Sequence, residues 1–250
     1  MSDHRKQDST ENNLSDDELK RLIDIIPKCF PEEQILDTNL SVTFNVRPNK
    51  NSFWSKVVCA KLTWRDEALV KKYPSSLFIK IPTVSQNVRN VGILGGKDDD
   101  DVLFDLTKHE ILWYKKYNNE IIANFPTPTF FAAEDITYSG SGIIVIEDLT
   151  EKAFSMDYIP GFQLEQVEQL MEALAGFHYH FITMTDKSWI EEFDRTAAID
   201  EETQMLQFNC AKKFETLDPA LLGKVEALRD IFSVEKAKRA HYSYTDLGKF

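Results

Sequence analysis

The sequence predicts an α+β fold in which a β-rich first part with one embedded helix precedes a helical second part. Two observations support this class. Alternating apolar residues mark several short strands before residue 150, and apolar residues recur at helical spacing after residue 163. We predict a polar tail at 1–14, a β-rich domain at 15–150 and a helical domain at 151–250.

Composition and charge narrow the classes of function. The chain has 250 residues, of which 42% are apolar, and a formal net charge of −12. A negative chain is poorly suited to binding nucleic acid or an anionic membrane surface, because phosphates repel it. The N-terminus shows no secretory signal, no apolar run could span a membrane, and the three cysteines form no CxxC pair. We therefore expect a soluble cytoplasmic protein without a disulfide framework or a zinc site.

Local signals predict the first elements of the β-rich part. Ser15 followed by Glu18 is a capping-box pattern, and it opens the helical segment SDDELKRLIDII. The segments NLSVTFNV and FWSKVVCAKLTW alternate apolar and polar residues across a short polar loop, which predicts a β-hairpin. A charged connection then leads to a third strand in SSLFIKIPT.

The next predicted element is a loop, SQNVRNVGILGGKDDDD, whose acidic run Asp98 to Asp101 is interpreted as solvated rather than as a metal site. The segment DLTKHEILWYKKYNNEI then predicts a helix, with Leu106, Trp113 and Tyr117 on a face that also carries Glu110. The segments TFFAAED and SGIIVIEDL predict two further strands.

Helices follow. QLEQVEQLMEALAGFHYHF has apolar residues at helical spacing, and DPALLGKVEALRDIF predicts a helix with Asp218 as N-cap and Pro219 at its first position. His178 lies in the first of these segments. We interpret it as a packing or hydrogen-bonding residue, because a histidine on an apolar helical face usually belongs to the core.

Lys80 lies in the middle of the apolar strand SSLFIKIPT, and two interpretations are open. Alternate strand residues face opposite sides, so Lys80 either points to water or reaches into a cleft and binds phosphate. The order of hairpin, lysine-bearing strand, glutamate-bearing helix and two strands is that of a kinase N-lobe. In such a lobe the strand lysine neutralises phosphate charge and the helix glutamate holds it. Glu110 is the candidate partner; the alternative is an ordinary solvated carboxylate.

A second candidate region is the end of the strand GIIVI, which runs into Glu147, Asp148 and Leu149. An apolar strand that ends in this way is typical of a hinge between two lobes, where backbone N–H and C=O groups can pair with the edge of adenine. The alternative is a strand that leaves the core into an exposed turn.

Five segments in order resemble the CHK kinase-like family, an ecdysteroid-kinase-like group related to choline kinases and aminoglycoside phosphotransferases, in particular its nematode branch. They are FWSKVVCAKLTW, LFIKIP, KHEILWYKKY, IIVIEDL and LMEALAGFHYHF. The resemblance implies a protein-kinase-like bilobal fold and phosphorylation, by ATP with Mg, of a hydroxyl on a small molecule such as a steroid or choline-like compound. It also implies that Lys80 contacts the α- and β-phosphates, that Glu110 is its partner, and that Glu147 to Leu149 present backbone to adenine.

The sequence departs from the family at two places. Ser52 stands where the family usually has glycine in its phosphate loop, so the hydroxyls of Ser52 and Ser55 are the candidate phosphate donors there. In the family, the segment HYSYTDLGKF leads into a catalytic loop resembling H-G-D-x-W-x-x-N and later into a metal-binding aspartate, and neither occurs in these 250 residues.

From these departures we expect a complete β-rich N-lobe, an incomplete helical C-lobe with an exposed apolar face, and little or no catalysis by this chain alone. The alternative is a non-catalytic, pseudokinase-like module that binds nucleotide or a partner. That partner would be another protein or a second copy, bound through the exposed helical face.

Overall fold

The computed structural model describes residues 14–32, 39–47, 54–83, 99–118, 122, 125–137, 141–154, 161–193, 201–217, 220, 222–229, 233, 235–236 and 239. These residues form two compact units. The first contains the described residues within 1–92, 98–121 and 126–169, and the second contains those within 122–125 and 170–250. The domain boundary at residue 150 stays a prediction.

The first unit is built on a five-stranded antiparallel sheet with the order β1-β2-β3-β5-β4. Its strands are β1 (Leu40–Val46), β2 (Ser55–Trp64), β3 (Ser76–Pro82), β4 (Phe130–Glu134) and β5 (Ile143–Glu147). The helices of this unit include α1 (Asp16–Ile25), α2 (Glu67–Lys72) and α3 (Asp99–Tyr117). All five predicted strands are present, so the α+β class is confirmed, and the sheet is compatible with a kinase-like fold.

The main core lies between α1 and one face of the sheet. Helix α1 begins with the predicted capping box, in which the Glu18 N–H donates to Ser15 Oγ at 3.2 Å and the Ser15 N–H donates to Glu18 Oε2 at 2.7 Å. Its apolar side then buries Leu22 against the sheet, where Leu77 and Ile79 of β3 are completely buried. The opposite face of the sheet is covered by α3, whose Ile111 packs with β5.

Two sequence-based interpretations of the first unit are corrected by the structure. The charged connection after β2 contains helix α2, because the Asp66 side chain caps it by accepting the Ala68 N–H at 2.7 Å. Helix α3 begins at Asp99, so three of the four run aspartates occupy its first turn, where negative charge favours the helix dipole. Asp98 lies outside the described residues.

Helix α3 buries one side against the sheet. Its buried positions are Leu103, Thr107, Ile111 and Tyr117. Of the residues predicted to share a face with Glu110, Tyr117 is buried, and Leu106 and Trp113 are partly buried. The helix turns the Ile111 side towards the sheet because Ile111 packs with the apolar residues of β5 there.

The helices among the described residues after 161 include α4 (Leu164–Thr183), α5 (Trp189–Glu192), α6 (Glu201–Glu215) and α7 (Lys224–Ala227). In the second unit, the rings of Phe177 and Phe181 lie 5.0 Å apart, and those of Phe181 and Trp189 lie 5.7 Å apart. The buried Glu215 carboxylate, at the end of α6, accepts the Val225 N–H in the first turn of α7 at 2.6 Å. These contacts join α4 to α5 and α6 to α7.

Two predictions about the helical part are wrong. The predicted helix from Asp218 is only the four residues of α7, because Gly223 adopts a left-handed φ of 76° immediately before it. Asp218 and Pro219 lie outside the described residues. His178 is exposed on α4 and does not belong to a core, because its side of the helix faces solvent.

Helix α4 is otherwise formed as predicted, and much of its apolar side is open to solvent. Leu164, Leu170 and Met171 are 69%, 49% and 57% exposed. Within the part of the chain that the structure describes, none of the helices combines the length and the apolar character that crossing a bilayer requires.

Candidate functional site

Lys80 and Glu110 form an ion pair on the face of the sheet that α3 covers. Lys80 lies on β3 opposite Val57 of β2 and Ile144 of β5, and strand alternation directs its side chain away from the main core. Its Nζ atom lies 2.5 Å from Oε1 and 2.7 Å from Oε2 of Glu110. The two side chains are 25% and 33% exposed, so the pair is half-buried. The two residues that the sequence indicated are therefore in direct contact.

The hydrogen bonds of this pair fix the Lys80 side chain and leave its ammonium one further donor. An ammonium group has three hydrogen-bond donors, and the carboxylate of Glu110 uses two of them. The long lysine stem is thereby fixed, because a half-buried carboxylate that bonds through both oxygens limits the rotamers available to it. An ammonium with a further donor is the kind of group that can form a charge-assisted hydrogen bond to a phosphate oxygen.

The residues after β5 offer one backbone acceptor and one backbone donor. The Glu147 N–H donates to the Thr129 carbonyl at 2.8 Å, whereas the Thr129 N–H donates to the Glu147 carboxylate at 3.2 Å. The Thr129 N–H is therefore bonded to the Glu147 side chain and not to the Glu147 backbone carbonyl. The Leu149 carbonyl accepts the Lys152 and Ala153 N–H groups at 2.8 Å, but the Leu149 N–H has no partner in the same described segment.

Asp148 lies between Glu147 and Leu149, and its side chain belongs to a hydrogen-bond and ion-pair network that the sequence did not indicate. Its side chain is only 6% exposed, and Arg47 Nη2 lies 3.3 Å from Oδ2. Arg47 Nη1 also donates to Thr150 Oγ1 at 2.6 Å. Burial raises the pKa of Asp148, but hydrogen bonds from Thr150, Ser76 and Cys59 outweigh it, so this pKa lies below its ordinary value. The carboxylate is charged at neutral pH and fixes the segment to the sheet.

The side chain of Glu147 is also ionised and points away from the network around Asp148. The ammonium of Lys152 lies 2.5 Å from Glu147 Oε1 and is the main reason that the pKa of Glu147 lies below its ordinary value. Hydrogen bonds from Thr129 act in the same direction. The charged side chains of Glu147 and Asp148 are therefore both bonded to other protein groups. The remaining polar groups of Glu147 and Leu149 are those of the backbone.

A cavity of about 420 Å³ adjoins this segment, which is within the size range of small-molecule sites. Phe78 of β3 lines it and lies two residues from Lys80 on the same strand face, about 7 Å along the strand. The lining residues are Arg47, Phe78, Pro128, Ile146, Glu147, Asp148, Leu149, Thr150, Ala153 and Phe154. An apolar wall, a backbone donor and acceptor and a nearby ammonium thus occur together in the first unit.

The two candidate phosphate donors, Ser52 and Ser55, have less support from the structure. Ser55 begins β2 on the sheet face that carries Lys80, and it is only 6% exposed. Ser52 lies outside the described residues. The sequence did not indicate that three further residues line the cavity, namely Arg47, Phe78 and Thr150. No local signal could have shown this. Arg47, for example, is 101 and 103 residues from its partners Asp148 and Thr150.

The described residues fit a nucleotide better than they fit a metal ion. Apolar Phe78 and Ile146 suit a base, and Lys80 suits a phosphate. By contrast, the described segments contain no group of three or more His, Cys, Asp or Glu residues that could hold a metal ion. We therefore assign no magnesium ligand among these residues.

Comparison with known proteins supports a kinase-like family for this chain. An uncharacterized kinase-like protein of Caenorhabditis elegans is 26% identical over 235 residues, which cover 92% of this chain. The matched region covers 62% of the length of that relative. No family model matches the sequence. No solved structure matches it either.

Proposed function

We propose that this chain binds ATP in its first unit as a member of the CHK kinase-like family. In this proposal, ATP binding by these residues serves the family's reaction, which is the phosphorylation of a hydroxyl of a small metabolite, such as a steroid or choline-like compound, in the cytoplasm. The observation that carries the proposal is the ion pair between Lys80 and Glu110, which joins the strand and the helix of a kinase-like lobe. The similarity to a kinase-like nematode protein supports the same class.

The roles of the residues follow from charge and geometry. Lys80 contacts the α- and β-phosphates, because its ammonium is the cation that Glu110 holds near the cavity. The Glu147 carbonyl accepts from the adenine amino group, and the Leu149 N–H donates to the neighbouring ring nitrogen. Ser55 is a candidate donor to phosphate at the start of β2. When bound with ATP, magnesium would neutralise phosphate charge.

A second candidate function is nucleotide or partner binding without phosphoryl transfer. The observation that favours it is that the described residues can contact a nucleotide but contain no group of three or more His, Cys, Asp or Glu residues that could hold its metal ion. The two candidates share the nucleotide site and differ in turnover, so they require separate measurements.

The test of the shared site is the melting temperature and calorimetric affinity of the 250-residue chain with Mg·ATP. Binding to the native state raises the melting temperature in proportion to the logarithm of ligand concentration. We expect Lys80→Ala to weaken ATP binding by about tenfold or more, because a charged hydrogen bond to phosphate is worth about 1.5–3 kcal/mol.

Lys115→Ala is the matched control. Lys115, on α3, is also an ion-paired lysine, and its Nζ atom lies 2.6 Å from Asp135 Oδ1. It does not line the cavity beside Glu147. This variant should bind ATP as the parent chain does. No ATP binding by the parent chain, or equal losses in the two variants, would contradict the proposed site. Release of ADP with a panel of small alcohols then separates the kinase from the binding module.

A further inference from the structure

The outer edge of strand β1 presents unpaired backbone groups. β1 is the first strand in the sheet order, so within the described residues no strand lies on its outer side. The bonds from the Arg47 N–H to the Val57 carbonyl and from the Arg65 N–H to the Asn39 carbonyl show that the odd-numbered residues face β2. Alternation then directs the backbone groups of the even-numbered residues outwards. These residues are Leu40, Val42, Phe44 and Val46.

Among the described residues, β1 shows none of the sequence features that normally prevent edge strands from associating. Proteins protect exposed edges with charged residues, proline, bulges or short strand length. β1 has seven residues, LSVTFNV, none of which is charged or proline, and its pairing with β2 is unbroken from Leu40 to Val46. An uncharged, regular edge of this length is suited to accept another strand.

An apolar groove lies beside the same edge. Its volume is about 320 Å³, and its walls are Leu19, Ile23, Ile26 and Pro27 with Leu40, Val42 and Phe44 of β1. Ile23 of α1 is 56% exposed there, although it is a large apolar side chain. A strand added to β1 would direct alternate side chains into this groove. Its other side chains would lie beside Ser41, Thr43 and Asn45, which are exposed and polar.

We propose that a second copy of this chain occupies the edge, with the two β1 strands antiparallel about a two-fold axis at Thr43. The outward-facing residues are symmetric about Thr43, so Leu40 lies opposite Val46 of the second copy and Val42 lies opposite Phe44. Each such pair exchanges two hydrogen bonds, which leaves no outward group of β1 without a partner. The exposed sides of α1 then meet on one face of a continuous sheet.

Self-complementarity is the reason for choosing a second copy over an unrelated peptide. Apolar residues meet apolar residues on the groove face, and Ser41 meets Asn45 on the polar face. The chain carries a net charge of −12, but β1 itself has no charge that would repel its copy. Because long-range repulsion between copies is screened by ions, added salt should strengthen the dimer. This inference is independent of the proposed nucleotide site.

Sedimentation velocity of the 250-residue chain at low and high micromolar concentrations tests the proposal. We expect a monomer–dimer equilibrium. Thr43→Lys and Thr43→Glu each place like charges opposite each other at the axis, and each should weaken dimerisation by about tenfold or more. A mixture of these two variants should restore a dimer, because opposite charges then meet. Thr63→Lys adds the same charge to the exposed side of β2, away from the edge, and should leave the dimer unchanged.

A disulfide experiment tests the register and does not depend on affinity. Non-hydrogen-bonded antiparallel pairs have Cα atoms about 4.5 Å apart, within the range that a disulfide spans. In a Cys210→Ser background, which removes the exposed native thiol, Thr43→Cys should form a covalent dimer on oxidation. Ser41→Cys faces Asn45 of the second copy and should not.

A chain that stays monomeric at every concentration overturns the proposal, as does a dimer that both Thr43→Lys and Thr43→Glu leave intact. Val42→Pro gives an independent check, because it removes an outward N–H without breaking a bond between β1 and β2. This variant should melt as a folded protein and sediment as a monomer. A folded Val42→Pro dimer would also overturn the proposal.

Discussion

Lys56 of β2 and Glu18 of α1 are joined by an ion pair in which Nζ lies 2.7 Å from Oε1 and 2.9 Å from Oε2. The side chains are 19% and 18% exposed, so both charges are largely removed from water. Glu18 also accepts the Ser15 N–H at the start of α1. One carboxylate therefore caps the helix and attaches it to the sheet.

This pair predicts a pH-dependent contribution to stability. Burial raises the pKa of Glu18, but the hydrogen bonds from Lys56 and Ser15 outweigh it, so the pKa in the folded chain lies below the ordinary 4.5. The ionised group therefore stabilises the fold fully above pH 4.5 and loses this contribution as the pH falls through the folded value. Glu18→Gln should cost about 1–2 kcal/mol at neutral pH, measured by urea unfolding.

Glu32→Gln is the control for that measurement. Glu32 lies 3.6 Å from Lys72 in a pair whose side chains are 80% and 49% exposed, and its loss should cost less than about 0.5 kcal/mol. The difference between Glu18→Gln and the parent chain should shrink as the pH falls below 4.5. A difference that stays constant with pH would contradict the role of the charge.

The backbone groups after β5 predict discrimination between nucleotides. In the proposed binding mode the Glu147 carbonyl accepts from the base and the Leu149 N–H donates to it, whereas guanine reverses the donor and acceptor order that adenine presents at the corresponding edge. ATP should therefore bind more tightly than GTP by about tenfold or more, because unpaired polar groups cost about 1–3 kcal/mol. Competitive calorimetry gives this ratio. Equal affinities would show that the base does not contact this segment.

The packing of the main core predicts that the stability of the fold depends strongly on the buried side chains of β3. Ile79 is completely buried between neighbouring strands and α1, and Ile79→Ala should cost about 2–5 kcal/mol through lost burial and the cavity that remains. Val70 of α2 is 55% exposed, so Val70→Ala should cost less than about 0.5 kcal/mol. Denaturant midpoints of the two variants measure the contrast. Similar losses would mean that β3 is not at the centre of the core.

The three free cysteines predict a distinct order of reactivity. Burial raises the pKa of Cys29 to about 12, and its thiol donates to the Ile25 carbonyl at 3.5 Å. Burial likewise raises the pKa of Cys59, whereas Cys210 is exposed. Since the thiolate is the reactive form, a thiol reagent should label Cys210 first and the other two only on unfolding. Rapid labelling of Cys29 in the folded chain would contradict its position in the core.

The sequence by itself determined the features that depend on near neighbours. The alternation in NLSVTFNV and SSLFIKIPT predicted β1 and β3, and Ser15 with Glu18 predicted the start of α1. Element order also indicated Lys80 and Glu110, although they are 30 residues apart. Each of these signals is a periodicity, a cap or an order, all of which can be read along the chain.

Only the tertiary structure decided which residues meet across the sheet. The buried side of α3 is the one that carries Ile111, because that side contacts β5. Arg47 reaches Asp148 only because the register of β1 on β2, and of β5 on β3, brings their ends together. The bond from the Thr129 N–H to the Glu147 side chain likewise joins residues that are 18 positions apart. Such contacts result from packing summed over the whole unit, so no local stretch of sequence encodes them.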